Sequence, residues 1–179
     1  MTKILMPLAD GFEDIEAFVV IDVLRRAGLD VTTVGLTGKN VESAQKMRVM
    51  ADTSFHDIDP KTFDVIVLPG GNPGYKNLMR SQAINLAVHD FAKQGKIIAA
   101  ICGAPLLLAK AGLLEGKRAT IHPGWEKELD MPRSDRVVVD GNFITSQGPG
   151  TTFEFAFAIV SKLLGKPHAD DLKKRMLVQ

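Results

Sequence analysis

The feature that most constrains this chain is the way two kinds of apolar pattern take turns along it. "KILMPLA", "DVTTVGL", "FDVIVLPGG" and "KIIAAIC" are short, nearly continuous apolar runs, the pattern of strands buried on both faces. Between them lie segments of helical period. Glu13 to Ala27 carries a stripe of Ile15, Phe18, Val19, Val20, Val23 and Leu24 and stops at Gly28; Ser81 to Gly95 and "APLLLAKAG" follow the same logic. Strands covered on both sides need helices above and below, and parallel neighbours need crossovers of this length. The order therefore predicts an α/β chain, a three-layer sandwich around a mainly parallel central sheet.

Pro7 cannot donate to a ladder and weakens pairing where it falls. Lys46 to Asp52 is expected to add a strand after a "TGKN" turn. "KRATIHP", "DRVVVDG" and "NFITSQ" read as short strands with hairpin-like turns. A helix from Gly150 to Gly165 with a threonine cap, and a short amphipathic helix after it, close the chain. No repeat or linker divides residues 1–179, so they are read as one domain, and 45% hydrophobic residues suffice for one core.

Charge excludes some partners. With 22 basic and 21 acidic residues the net charge is +1, so no field draws nucleic acid or an anionic membrane. The N-terminus lacks the pattern of a signal peptide, and no apolar run approaches the ~20 residues of a membrane span. A single cysteine makes no internal disulfide, which sets the cytoplasm as the expected compartment. The four histidines are scattered without ligand spacing, so no metal is expected. Neither phosphate-binding glycine signature is present.

In an open parallel sheet, ligands bind beyond the carboxyl ends of the strands. "ADGFEDIE", "PGGNPG" and "CGAP" all follow strands and mark that edge as the candidate site. Cys102 ends its strand, and Gly103, Ala104 and Pro105 open a helix, the arrangement of a nucleophile elbow with sulfur in place of oxygen. A helix N-terminus beside the thiol would lower its pKa; the competing reading is a small buried hydrophobe. Glu16 lies one turn in from Glu13 and is placed to project toward the same edge, where an apolar setting would raise its pKa; alternatively it only complements the helix dipole. "PGGNPG" offers backbone N–H groups to an oxyanion, or is only a tight turn. His122, with Pro123 and Trp125 close by, is a pocket residue or a surface one.

Taken together, "ADGFEDIEA", "VIVLPGGNPG", "AAICGAPLLLAKAGLLEGK", "TIHPGW" and "TSQGPGTTFEFAFAIVSKLLGK" resemble the ThiJ/PfpI superfamily, in its DJ-one branch, over nearly the whole chain. The resemblance implies a flavodoxin-like fold and a homodimer. Cys102 is similar to the family's reactive cysteine and Glu16 to the acid bonded to it. Gly70, Gly71 and Gly103 resemble its oxyanion and substrate-binding positions, His122 its pocket histidine, and Asp22 and Arg26 a charged pair near the dimer contact. Implied in turn is a cofactor-independent glyoxalase or deglycase acting on small aldehydes, or else an oxidative-stress sensor or redox-regulated chaperone working through Cys102. The protease-like branch has histidine directly after the cysteine, so Gly103 argues against a peptidase. Gln45 and Gln147 stand where the DJ-one branch carries basic residues.

Overall fold

The computed structural model describes residues 1–178. In chain order the strands are β1 (Lys3–Leu8), β2 (Asp30–Gly35), β3 (Asn40–Glu42), β4 (Arg48–Met50), β5 (Thr53–Ser54), β6 (Val65–Leu68), β7 (Ile97–Ile101), β8 (Arg118–Ala119), β9 (Met131–Pro132), β10 (Val137–Asp140) and β11 (Phe143–Ser146). The helices are α1 (Asp14–Arg26), α2 (Gly74–Arg80), α3 (Gln82–Lys93), α4 (Pro105–Lys110), α5 (Thr152–Leu164) and α6 (Lys166–Arg175).

The main sheet has the order β10-β11-β7-β6-β1-β2-β5, parallel throughout except for β10 against β11. Its strands are buried on both faces, and their side chains alternate between two cores. Ile4, Met6, Leu8, Val65, Val67, Ala99 and Ile101 face the core under α1, α5 and α6. Leu5, Ile66, Leu68, Ile98 and Ala100 face the one under α3 and α4. Period-two alternation within continuously apolar strands is what lets one sheet serve two cores. This is the mainly parallel, three-layer sandwich expected from the pattern, in the flavodoxin-like form that the resemblance implied.

The chain leaves β1 toward β2 on one side and later returns through β6 on the other, which makes β1 and β6 the switch point. Both strands run on, yet their ladder pairs only Ile4 with Val65 and Leu5 with Ile66. Pro7 supplies no N–H beyond that point, so the two carboxyl ends are free to part.

α1 ends in a Schellman turn, with Gly28 N donating to Arg25 O and Leu29 N to Leu24 O. α3 begins on Ser81, whose hydroxyl accepts from Ile84 N at 3.3 Å. Several expectations need correcting. Ile15 and Phe18 do not enter the core: they are 48% and 36% exposed, whereas Glu16 and Ala17 are buried. The Lys46 to Asp52 segment contributes β4, but in a separate hairpin with β3, which occupies the end of the expected "TGKN" turn. β8 pairs with β9 in parallel instead of forming a hairpin. No threonine side chain caps α5; the Thr151 hydroxyl bonds Ser146 Oγ and both backbone groups of Gly148.

Candidate active site

Cys102 follows β7 and holds φ of 63°, a left-handed conformation that costs a non-glycine residue about 1 kcal/mol or more. Bonds on both sides impose it. Cys102 N donates to Ser146 O at 2.9 Å, and Cys102 O accepts from His122 N at 3.0 Å. The turn then passes through Gly103, on which the Tyr75 ring packs so closely that a Cβ would lie 2.8 Å from it. The result is a strained strand-to-helix elbow presenting sulfur at the sheet edge.

Glu16, in the first turn of α1, is fully buried. Its Oε2 accepts from Gly70 N at 2.8 Å, and its Oε1 is buried with no hydrogen-bond partner among the described residues. Burial raises its pKa from the usual 4.5 to about 7, against the Gly70 N–H and the neighbouring Cys102 thiol, which pull it down. Gly70 is needed because a Cβ there would lie 2.6 Å from Glu16 Oε2 and 2.7 Å from Cys102 Cβ. Its N–H is thus spent on Glu16, which corrects the expectation that it faces an oxyanion. The backbone N–H groups of Gly71 and Gly103 are the ones beside the sulfur that favour negative charge there.

The thiol itself reverses a second expectation. Burial and then the adjacent Glu16 carboxylate push its pKa up to about 12, more than the N–H groups of Gly103 and Gly71 pull it down. The six-residue α4 has no side-chain cap and is too short to override that. The acid and the thiol behave as one coupled unit. While Glu16 is ionised the sulfur keeps its proton; once Glu16 is protonated, the charge opposing thiolate is gone and the acid can donate to it.

His122 is exposed, with Nδ1 3.0 Å from Pro123 O and its ring tilted against Trp125 at 5.7 Å. Gly148 sits between it and the thiol: a Cβ on Gly148 would lie 3.9 Å from His122 Cδ2 and 4.0 Å from Cys102 Sγ. The "TSQGPG" segment therefore walls the site. An open pocket of about 250 Å³ is lined by Gly71, Cys102 and Gly103 and by Tyr75, Lys76, His122 and Trp125. Tyr75 and Lys76 were not legible as site residues; the available signal was an aromatic placed directly after "PGGNPG".

Asp22 and Arg26 do not join this group. They pair with each other at 2.7 Å on the exposed face of α1. Gln147 Nε2 donates to Ser134 O at 3.0 Å, and Gln45 N to Asp14 Oδ2 at 3.3 Å. Among the described residues no cluster of His, Cys, Asp and Glu could hold a metal ion, and no helix is long and apolar enough to cross a membrane.

A doubly wound sheet with a buried acid at its switch point and a cysteine elbow on the strand beside it defines a class of α/β proteins that carry a thiol where hydrolases carry a serine. The family model for DJ-1/PfpI matches residues 2–162, and the chain belongs to that family. It is 40% identical to Protein DJ-1 homolog A of Arabidopsis thaliana over 98% of this chain, and spans 46% of that relative's length. It is 38% identical to the glutathione-independent glyoxalase DJR-1.2 of Caenorhabditis elegans, covering 96% of this chain and 92% of the relative. A deglycase of Pyrococcus abyssi is 31% identical over 90% of this chain and 99% of its own. The solved structure of oxidized Toxoplasma gondii DJ-1 superposes with a TM-score of 0.95 at 34% identity, over 99% of this chain and 98% of that one.

Proposed function

We propose that this chain is a cofactor-independent enzyme of the glyoxalase and deglycase type, converting 2-oxoaldehydes to 2-hydroxy acids. The observation that carries the reading is the buried carboxylate of Glu16 with a pKa near 7 against the Cys102 thiol, an acid poised to give and take protons at neutral pH. The relatives named as a glyoxalase and a deglycase support it.

In this mechanism the Cys102 sulfur adds to the aldehyde carbon. Its proton passes through Glu16 to the carbonyl oxygen, and the N–H groups of Gly71 and Gly103 steady the developing oxyanion. The ionised Glu16 then removes the hydrogen on the former aldehyde carbon, giving an enediolate, and the hydroxyl proton moves from the first oxygen to the second. Returning the proton held by Glu16 to the neighbouring carbon leaves a 2-hydroxy thioester. Water cleaves the thioester, releasing the 2-hydroxy acid and restoring the thiol. His122 positions the substrate or assists this last proton transfer. Release of early aldehyde adducts from amines and thiols would use the same groups.

The test is lactate formation from methylglyoxal by the wild type, Cys102→Ser and Glu16→Gln. No lactate above the buffer rate, or a serine variant as fast as wild type, would sink the reading. A second reading, oxidant sensing through Cys102, is favoured by the oxidized state named for the Toxoplasma relative. It predicts a selective gain of two oxygens at Cys102 after mild peroxide, read by intact mass.

The proposed assembly is a homodimer. Ile15 and Phe18 are exposed on the same helix as the Asp22–Arg26 pair, which supports a second copy packing over α1. Sedimentation of the wild type and of Phe18→Glu tests it.

A further inference from the structure

The pocket above Cys102 is larger than the simplest substrate needs, and its walls have a definite chemistry. At ~30 Å³ per water-sized group, about 250 Å³ holds roughly eight such groups. Methylglyoxal, whose substituent is a single methyl, leaves much of that space to water. The side of the pocket is aromatic: Trp125 lies 5.6 Å from the Tyr75 ring at 54° and 5.7 Å from the His122 ring at 47°. Both pairs are tilted, with centroids inside the range of roughly 4.5–7 Å in which aromatic rings attract.

The wall is also held in place. Tyr75 is buried, with its ring against Gly103, so it cannot move without disturbing the elbow. His122 and Trp125 are joined by Trp125 N donating to His122 O at 3.2 Å, and His122 N is bonded to Cys102 O. The Glu126 carboxylate accepts from Gly124 N at 3.0 Å and steadies the same loop. Trp125 itself remains only partly buried, which leaves indole surface open to a ligand.

We propose that this pocket selects 2-oxoaldehydes whose substituent is a planar aromatic ring, and that Trp125 is the specificity-determining residue. The chemistry rests on the glyoxalase reading, but the binding preference does not. A saturated ring of the same size gains only apolar burial from these walls, whereas an aromatic ring adds edge and face contacts with Trp125 and His122.

The experiment uses the chain's only tryptophan as its reporter. Mandelate, the 2-hydroxy acid derived from phenylglyoxal, is titrated against the wild-type protein while Trp125 fluorescence is followed, with lactate and hexahydromandelate as comparators. The expected result is quenching by mandelate with a Kd about fivefold or more below both comparators. Kinetically, kcat/KM for phenylglyoxal exceeds that for methylglyoxal. Trp125→Leu lowers that ratio about fivefold, and Trp125→Phe restores most of it. Mandelate binding no tighter than lactate, hexahydromandelate binding as tightly as mandelate, or a ratio unmoved in Trp125→Leu overturns the proposal. Turnover of methylglyoxal without aromatic preference removes this inference and leaves the enzyme reading standing. Mandelate selectivity without turnover of either aldehyde does the opposite.

Discussion

The two sides of the site are built differently. Gly70 and Cys102 sit where two central strands end and Glu16 is on the inward face of α1, and an added Cβ at Gly70 would collide with both reacting side chains. His122 and Trp125 sit on a loop at the surface, and a Cβ at the adjoining Gly148 meets nothing closer than 3.9 Å. The inner side is over-determined and the outer side tolerant. Such a division assigns bond-making to the side that cannot shift and substrate choice to the side that can vary without unfolding the sheet.

That contrast can be broken most severely at the sulfur. Cys102→Ser should lower glyoxalase turnover by at least ~10³-fold, with circular dichroism unchanged. Glu16→Gln should cost about 10²-fold and also remove a pH limb. Since Glu16 must be ionised to accept the substrate hydrogen, wild-type kcat/KM should rise through about pH 7, and the glutamine variant should lack that rise.

The same group makes a stability prediction. Its folded pKa of about 7 exceeds the ordinary 4.5, so the native state binds the extra proton between those values. The associated stability is fully present below pH 4.5 and lost as pH rises through 7, on the order of 3 kcal/mol in all. Denaturant midpoints should fall over that window in wild type and hold nearly level in Glu16→Gln.

Gly70→Ala should cost about 10²-fold in activity, because the thiol and the acid must both move aside, and should lower the melting temperature as well. On the outer side, His122→Gln should change turnover by only about threefold, with stability unaltered. An effect there as large as that of Glu16→Gln would erase the distinction between the two sides.

Much of this was legible in the chain. Unbroken apolar runs specified the parallel sheet, and the junction at "ICGAP" located the elbow. Glu16 was legible as the acid that turns inward because it follows Glu13 by one helical turn. What escaped depended on neighbours distant in sequence. The thiol pKa moves up because Glu16 stands beside it, which no local helix argument contains. Ile15 and Phe18 fit the apolar stripe yet lie outside the core, since a stripe does not say how much of itself the parent sheet will cover. α2, seven residues beginning at Gly74, has no periodic signal long enough to read.

The left-handed backbone of Cys102 has a consequence for anyone who evolves this protein in the laboratory. Its φ of 63° is one that glycine adopts freely and cysteine does not. A library sorted for heat resistance alone would see the elbow as a defect to repair, and Cys102→Gly should survive such sorting with a melting temperature no lower than wild type. Every round would then have to score turnover beside survival, because selection blind to chemistry would drift toward a sturdier molecule without a sulfur.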